Sequence, residues 1–290
     1  MSKLIAFGWY GGKYSHLDWL LPLLPEATHY CEPFGGSAAV LINRPPSPIE
    51  TYNDIHGDVV NFFRVLREQK DALIEAIGLT PFSREEFQRA ISNEEGISDL
   101  ERARRFYILA RQVRTGLAQK ASYGRWAHCR LTSRAGMAGA VSRWLGAVED
   151  LPLIAQRLIR VQIENAPAIE VIKRYDSQET LFYCDPPYPH DSRGDSNAYA
   201  NEMTDEQHWE LANVLHNVKG KVAVSGYHCD LMNELYGAWR CIASNEKMIH
   251  SVKQMRKEVL WVNYKIEEQV ECHPTPRRPQ RQDLQQKLSI

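Results

Sequence analysis

An α/β fold of Rossmann-like class, a sheet with helices on both faces, follows from three features of the 290-residue sequence. The run Thr180-Leu-Phe-Tyr-Cys184 is short, apolar and rich in strand formers, and it stops at Asp185-Pro186-Pro187-Tyr188. Such a run reads as a buried strand of a parallel sheet. His29-Tyr-Cys-Glu32 is a second short strand, followed by the loop Pro33-Phe-Gly-Gly-Ser-Ala38 and an apolar helix through Ala39, Val40 and Leu41. Strand, glycine-bearing loop and helix form the nucleotide-binding first turn of such a sheet, and an acid, Asp54, stands roughly 20 residues beyond the glycines. Strand–helix alternation then fails over residues 79–160, where a mainly helical and loop insertion is expected.

Taken in order, Phe7-Gly-Trp-Tyr-Gly-Gly-Lys13 sets glycines among aromatics, which lets backbone approach a ligand closely. Lys13 opens an expected helix with Leu17, Leu20, Leu21 and Leu24 on one face. Lys13 alone reads as a solvated first-turn residue, and the glycine loop alone fits any strand-to-helix turn. Ile49-Glu-Thr-Tyr52 reads as a strand ended by Asn53-Asp54, where a carboxylate grips a ribose diol. No long basic cradle for a pyrophosphate accompanies it, which fits a cofactor with ribose and adenine but no phosphate. Val59, Val60, Phe62, Phe63, Leu66, Leu73 and Ile77 give Ile55–Ile77 a helical apolar face, with room for an interruption. Ser83 and Glu86 have the spacing of a capping box ahead of a helix to about Ile91, and another helix is expected over Leu100–Val113.

The sheet resumes at Val161-Gln-Ile-Glu164, followed by a helix over Ala168–Tyr175. Residues 189–198 are polar and without periodicity, and read as a loop beside the site. Thr204 and Gln207 form a second capping-box pattern before a helix through Trp209, Leu211, Ala212 and Leu215. Lys221–Ser225, Trp239–Ala243 and Glu258–Tyr264 read as the closing strands. His190, His208 and His228 have no visible carboxylate partner and read as surface or loop residues. Residues 267–290 are rich in Pro, Gln and charge and read as a disordered tail.

Asp185-Pro186-Pro187-Tyr188 ends a strand at the edge where α/β sheets bind ligands. Its prolines remove two amide donors and leave the carbonyls of Asp185 and Pro186 as acceptors. With the Asp185 carboxylate and the Tyr188 ring, they suit a planar base bearing an exocyclic amine. The bland alternative is a Pro-Pro turn with Tyr188 merely packing. The insertion carries the main charge asymmetry: from Arg102 to Arg143 there are Arg104, Arg105, Arg111, Arg114, Lys120, Arg125, Arg130 and Arg134 and no acid, with Tyr123, Trp126 and Trp144 interleaved. Basic residues supply the sequence-independent part of DNA affinity, so nucleic acid is the expected partner.

Trp9-Tyr-Gly-Gly-Lys13, Glu32-Pro-Phe-Gly-Gly36, Asn53-Asp54 and Asp185-Pro-Pro-Tyr188, in this order, resemble the Dam-like DNA adenine-N6 methyltransferases over about residues 3–266. The resemblance implies a class I methyltransferase sheet with S-adenosyl-L-methionine as methyl donor. It implies a site-specific, adenine-specific enzyme acting on double-stranded DNA, with catalytic residues Asp185, Pro186 and Tyr188. Trp9, Lys13, Glu32, Phe34, Gly36, Asp54 and Asp185 would bind the cofactor, and Arg114, Lys120, Arg125, Arg130 and Arg134 the DNA. Residues 1–78 and 161–266 would form the catalytic domain and 79–160 the target-recognition domain. The family's F-x-G-x-G loop pattern departs at Ala38, a small residue with which activity is expected to survive. A cognate restriction endonuclease is a partner that such an enzyme can have, and a bacterial or phage-encoded cytoplasmic setting is expected.

Composition limits the alternatives. Hydrophobic content of 43%, charged content of 24% and a net charge of −1 are those of an ordinary soluble protein, so a nucleic-acid surface must be local. Six cysteines without a C-x-x-C pair point to free thiols and no metal site, and no run suggests a signal peptide or a membrane span. Three rival readings stand: an amine or amide methyltransferase acting on cytosine N4, RNA or protein; a DNA-binding protein on an inactive methyltransferase scaffold; and a nicotinamide oxidoreductase. By the resemblance, Asp at position 185 favours adenine. The incomplete glycine fingerprint disfavours the oxidoreductase.

Overall fold

The computed structural model describes residues 3–92, 94–114, 125–189, 202–244, 247–249 and 254–266. Its strands are β1 (His29–Glu32), β2 (Ile49–Asn53), β3 (Ser133–Arg134), β4 (Met137–Ala138), β5 (Val161–Glu164), β6 (Thr180–Cys184), β7 (Lys221–Gly226), β8 (Arg240–Ala243), β9 (Lys247–Ile249), β10 (Gln254–Arg256) and β11 (Val259–Val262). Seven of them form one sheet in the order β5-β2-β1-β6-β7-β11-β8. The strands from β5 to β7 pair in parallel, whereas β11 runs antiparallel to both β7 and β8. The winding reverses between β1 and β6, and ligands bind outside the carboxyl ends of the strands at such a point.

Helices cover both faces: α1 (Leu17–Leu20), α2 (Ala39–Asn43), α3 (Gly57–Glu68), α4 (Lys70–Gly78), α5 (Arg84–Ile91), α6 (Asp99–Gln112), α7 (Gly139–Val148), α8 (Leu151–Leu158), α9 (Ala168–Tyr175), α10 (Asp205–Asn217) and α11 (Asp230–Tyr236). The period-two alternation of strand side chains divides the core between the two faces. Tyr30, Leu181, Tyr183, Ala223 and Leu260 face Phe62, Phe63, Tyr107 and Ile154 on one side. Cys31, Phe182, Cys184, Val222, Val224 and Trp261 meet Val171, Leu211, Leu215 and Met232 on the other. A strand buried on both faces has no polar positions to offer, hence the near-continuous apolar run at β6. Helices α6, α7 and α8, from the segment between β2 and β5, share the first cluster, and Tyr107 stacks on Phe62 at 5.5 Å and 10°.

Local departures from the expected elements have local causes. The stretch from Lys13 is a 3-10 turn, the short α1 and a second 3-10 turn with Pro22 inside it, in place of one helix. Leu17, Leu20 and Leu24 are nevertheless buried. The amphipathic segment after Ile55 breaks at Gln69, whose φ of −129° separates α3 from α4. Ser83 caps α5 by accepting from Glu85 N, while Glu86 is drawn to Arg104 at 2.8 Å, so the predicted capping box gives way to an ion pair. The box at Thr204 and Gln207 forms in full. His208 lies buried on α10, not at the surface as its sequence context suggested.

Much of the acid-free basic run is used by the fold, against acids from outside it. Arg102 pairs with Asp58, Arg104 with Glu86 and Glu101, and Arg105 with Glu94 and Glu101. Arg111 donates to the carbonyls of Ala6 and Ile5. Trp144 is buried against Tyr107, and Trp126 donates to Gln112 and packs on Phe82. A second polar cluster lies under β2. The Glu50 carboxylate, with its side chain fully buried, takes two bonds from Arg157 at 2.5 and 2.6 Å, with Arg44 at 3.7 Å and Arg160 at 3.8 Å.

Candidate active site

The loops after β1, β2, β5 and β6 meet at the carboxyl edge, tied together by Asn53. Its amide donates to Pro33 O (2.8 Å) and Ala166 O (3.0 Å) and accepts from Ala166 N (3.0 Å). Asp54 Oδ2 accepts from Gly36 N and Oδ1 from His56 N, both at 2.8 Å. Burial raises the Asp54 carboxyl above its ordinary range, and these backbone donors oppose the shift. The two glycines are required by close approach. A Cβ at Gly35 would lie 2.2 Å from the Tyr52 ring, and one at Gly36 2.6 Å from the Trp9 indole, at a φ of +49°. Ala38 holds φ +54°, a conformation that glycine adopts without the Cβ penalty, so the departure from the glycine pattern falls on a strained residue. Gly36→Ala should displace Trp9 and weaken cofactor binding about tenfold or more, roughly 1.4 kcal/mol, read by titration calorimetry.

On the other side of the edge, four side chains form one largely buried unit. Lys13 Nζ lies 2.7 Å from Asp185 Oδ1, 2.8 Å from Oδ2, 3.2 Å from Glu258 Oε1 and 2.7 Å from Gly11 O. The Tyr188 hydroxyl donates to Glu258. Lys13 stands 5.0 Å from the Tyr188 ring centroid, and Tyr227 meets that ring edge-on at 5.0 Å. Burial pushes the Asp185 carboxyl up to about 6 against the pull of Lys13, and the Glu258 charge adds to the rise. Glu32, buried on β1, accepts from Tyr30 at 2.6 Å and is pushed up to about 8 by burial.

A cavity of about 850 Å³ opens between these groups. Of the residues singled out in the sequence, Trp9, Lys13, Glu32, Phe34, Gly36, Asp54 and Asp185 all line it. Pro186 and Tyr188 are buried beside it and outside its lining. Arg114, Arg125, Arg130 and Arg134 are exposed and have no ion-pair partner among the described residues. Arg114 N bonds Arg125 O at 2.7 Å, and Arg134 lies on the β3–β4 hairpin. Lys120, Tyr123, the loop from His190 and the tail from Glu267 lie outside the described residues.

Sequence reasoning missed Glu258 and Tyr183, and it missed the wall formed by Pro167, Ala168 and Ile169. Glu258 precedes the apolar run of β11, and only the antiparallel direction of that strand brings it to the carboxyl edge. A charged residue flush against a fully buried strand was the available signal. Among the described residues no group of His, Cys, Asp and Glu could hold a metal ion, and no helix is long and apolar enough to cross a membrane.

A mixed α/β sheet with a cavity at its switch point, walled by a glycine loop, Asp54 and Asp185, is the setting of a nucleotide-binding Rossmann-like scaffold. The model of the D12 class N6 adenine-specific DNA methyltransferases matches residues 9–257, and the chain belongs to that family. DNA adenine methylases of two Vibrio cholerae serotype O1 strains are 28% identical over 227 residues, covering 74% of this chain and 76% of theirs. A Streptomyces viridochromogenes rRNA methyltransferase, aviRa, aligns with 12% identity and a TM-score of 0.36 over 87% of this chain and 83% of its own. Family membership makes the chain an adenine-specific methyltransferase and implies dependence on S-adenosylmethionine.

Proposed function

We propose that the chain transfers a methyl group to the exocyclic N6 of an adenine flipped out of duplex DNA. The observation that carries this reading is a carboxylate, Asp185, at the wall of the cavity, set among fixed charges and followed by two residues without amide donors. The residues opposite fit the cofactor. Asp54 suits the ribose hydroxyls, Gly35 and Gly36 let backbone come close, and Trp9, Phe34, Pro167 and Ile169 offer apolar walls for an adenine ring. When bound, S-adenosylmethionine supplies an electrophilic methyl on a sulfonium.

The protein's part is alignment and charge. The adenine amine is a poor nucleophile because its lone pair is delocalised into the ring. Asp185 and the Pro186 carbonyl accept its two N–H bonds and hold the lone pair towards the methyl. Positive charge developing on nitrogen is then met by acceptors already in place. Alignment of an in-line displacement supplies the rest, so a strong general base is unnecessary, and the amine proton leaves after transfer. Extruding the base costs a few kcal/mol, and stacking on an aromatic ring offsets roughly 1–3 kcal/mol of it. Tyr188 is the ring in position. With only 3% of its surface exposed, it must be uncovered to take that part.

Arg114, Arg125, Arg130 and Arg134 are the groups we assign to double-stranded DNA, and a cognate restriction endonuclease would share the same target sequence. Arg125→Ala and Arg130→Ala should each weaken binding across all sequences. Each should also reduce the slope of log K against log salt by about 0.9 for every phosphate no longer neutralised. Fluorescence anisotropy over a salt series reads this, and an unchanged slope moves the DNA surface elsewhere. The function itself is tested by transfer from labelled S-adenosylmethionine to unmethylated duplex DNA, with nucleoside analysis of the product. Label in N6-methyladenine supports the reading. Cofactor binding with no label in DNA favours RNA or protein as substrate, or an inactive scaffold.

A further inference from the structure

Lys13 and Asp185 form a pair that base binding must disturb. An ammonium has three donors; Lys13 donates to Asp185 and Gly11 O and forms an ion pair with Glu258 at 3.2 Å. Both Asp185 oxygens lie within 2.8 Å of the ammonium, so an incoming amine competes with it for the carboxylate. A buried ammonium stripped of its counter-charge is strongly destabilising. Glu258 is the other carboxylate in reach, 3% exposed, with its carbonyl accepting from Ser244 N at 2.7 Å. It stands at the start of β11, which is paired on both sides. The same carboxylate accepts from Tyr188 and so fixes the tilt of that ring.

We propose that Glu258 is a positioning residue for the transfer step: it keeps Lys13 neutralised and Tyr188 oriented while Asp185 exchanges the lysine ammonium for the exocyclic amine of the target base. The proposal rests on the reading of Asp185 as the amine acceptor and names the residue that makes it available. Without the Glu258 charge, Lys13 has Asp185 as its one ion-pair partner among the described residues and competes with the base for it.

The titration of Asp185 reports on this arrangement. The charged and titratable groups facing it are Lys13 from the first loop, Glu258 from the start of β11, Tyr183 and Cys184 from β6, Glu32 from β1, and Tyr188 from its own turn. Burial is the largest cause of its raised value, Lys13 opposes it and Glu258 adds to it. Removing the Glu258 charge therefore lowers the Asp185 value. The ionised form accepts the amine, so the acid limb of kcat/KM, which reports the free enzyme, moves to lower pH.

The test compares the parent protein with Glu258→Gln, Glu258→Asp and Tyr188→Phe in methyl transfer to unmethylated DNA across pH, with cofactor titration alongside. For Glu258→Gln we expect kcat about 10²-fold lower, the magnitude of a small misplacement at a reacting centre. Cofactor affinity should stay near the parent value while the acid limb moves to lower pH. Glu258→Asp should regain part of kcat and return the limb. Tyr188→Phe should cost less, and should add nothing to Glu258→Gln in the double variant. Parental kcat and acid limb in Glu258→Gln overturn the proposal. So does a loss with an unmoved limb that Asp does not rescue. An inactive parent protein overturns the underlying reading together with the proposal, whereas an active parent with an unaffected Glu258→Gln overturns the proposal alone.

Discussion

Asp185→Ala is expected to lower methyl transfer by about 10³-fold in kcat and to leave cofactor binding close to the parent value. Loss of a single preorganised charge-stabilising group costs roughly 10²–10³ in rate. On the proposed mechanism the substitution removes the carboxylate that orients the amine and meets its developing charge. The lysine it leaves behind is not stranded, because Lys13 retains Glu258 at 3.2 Å and Gly11 O at 2.7 Å. Asp54, Trp9 and the glycine loop are untouched. Single-turnover transfer of labelled methyl groups, beside calorimetric titration with the cofactor, separates the two effects. A variant that turns over at the parental rate sinks the mechanism. The parent enzyme carries a matching pH signature. On the proposed mechanism the carboxyl, raised to about 6 in the free protein, acts in its ionised form, so kcat/KM should rise with pH through that region and fall below it.

The largest effect on stability is expected far from the chemistry, at Glu50. Glu50→Ala should destabilise the fold by about 3–5 kcal/mol, since breaking a buried pair leaves an uncompensated charge. Arg157 would lose both of its short carboxylate bonds, and Arg44, itself buried, would lose its carboxylate neighbour. Urea unfolding should show the midpoint lowered at an unchanged slope. The exposed pair Arg64–Asp99, at 2.6 Å, is a control: Asp99→Ala should cost about 1 kcal/mol or less. Equal costs at the two sites would contradict the role assigned to burial.

The parallel half of the sheet and the cavity wall from Trp9 to Asp54 were legible in the sequence because they are local. A strand, a glycine turn and an acid follow one another within a few tens of residues, and each enforces its neighbour. The Asp185 turn was legible for the same reason. Glu258 was not, because its place depends on the direction and partner of a strand that periodicity alone cannot orient. The basic run was read correctly as charge and incompletely as surface. Arg102, Arg104 and Arg105 find acids at positions 58, 86, 94 and 101, outside the run, through helix packing that composition does not reveal. The capping box at Ser83 failed because Arg104 competes for Glu86, whereas at Thr204 the box is complete.

The placement of β11 between β7 and β8 has a consequence for the order in which the protein is made. A chain leaving the ribosome from its N-terminus can pair β1, β2, β5, β6 and β7 as they emerge. Strand β8 emerges next and has nothing to join, since its place in the sheet is held by β11 alone. Until residues 258–262 are released, Lys13 lacks one of its two carboxylates and Tyr188 lacks the acceptor of its hydroxyl. The loop that carries Lys13 and strand β11 are thus completed together. A nascent chain can form the cavity wall built from Trp9, Gly36 and Asp54 well before Glu258 reaches Lys13 and Tyr188, so that wall is complete before the charged cluster beside it.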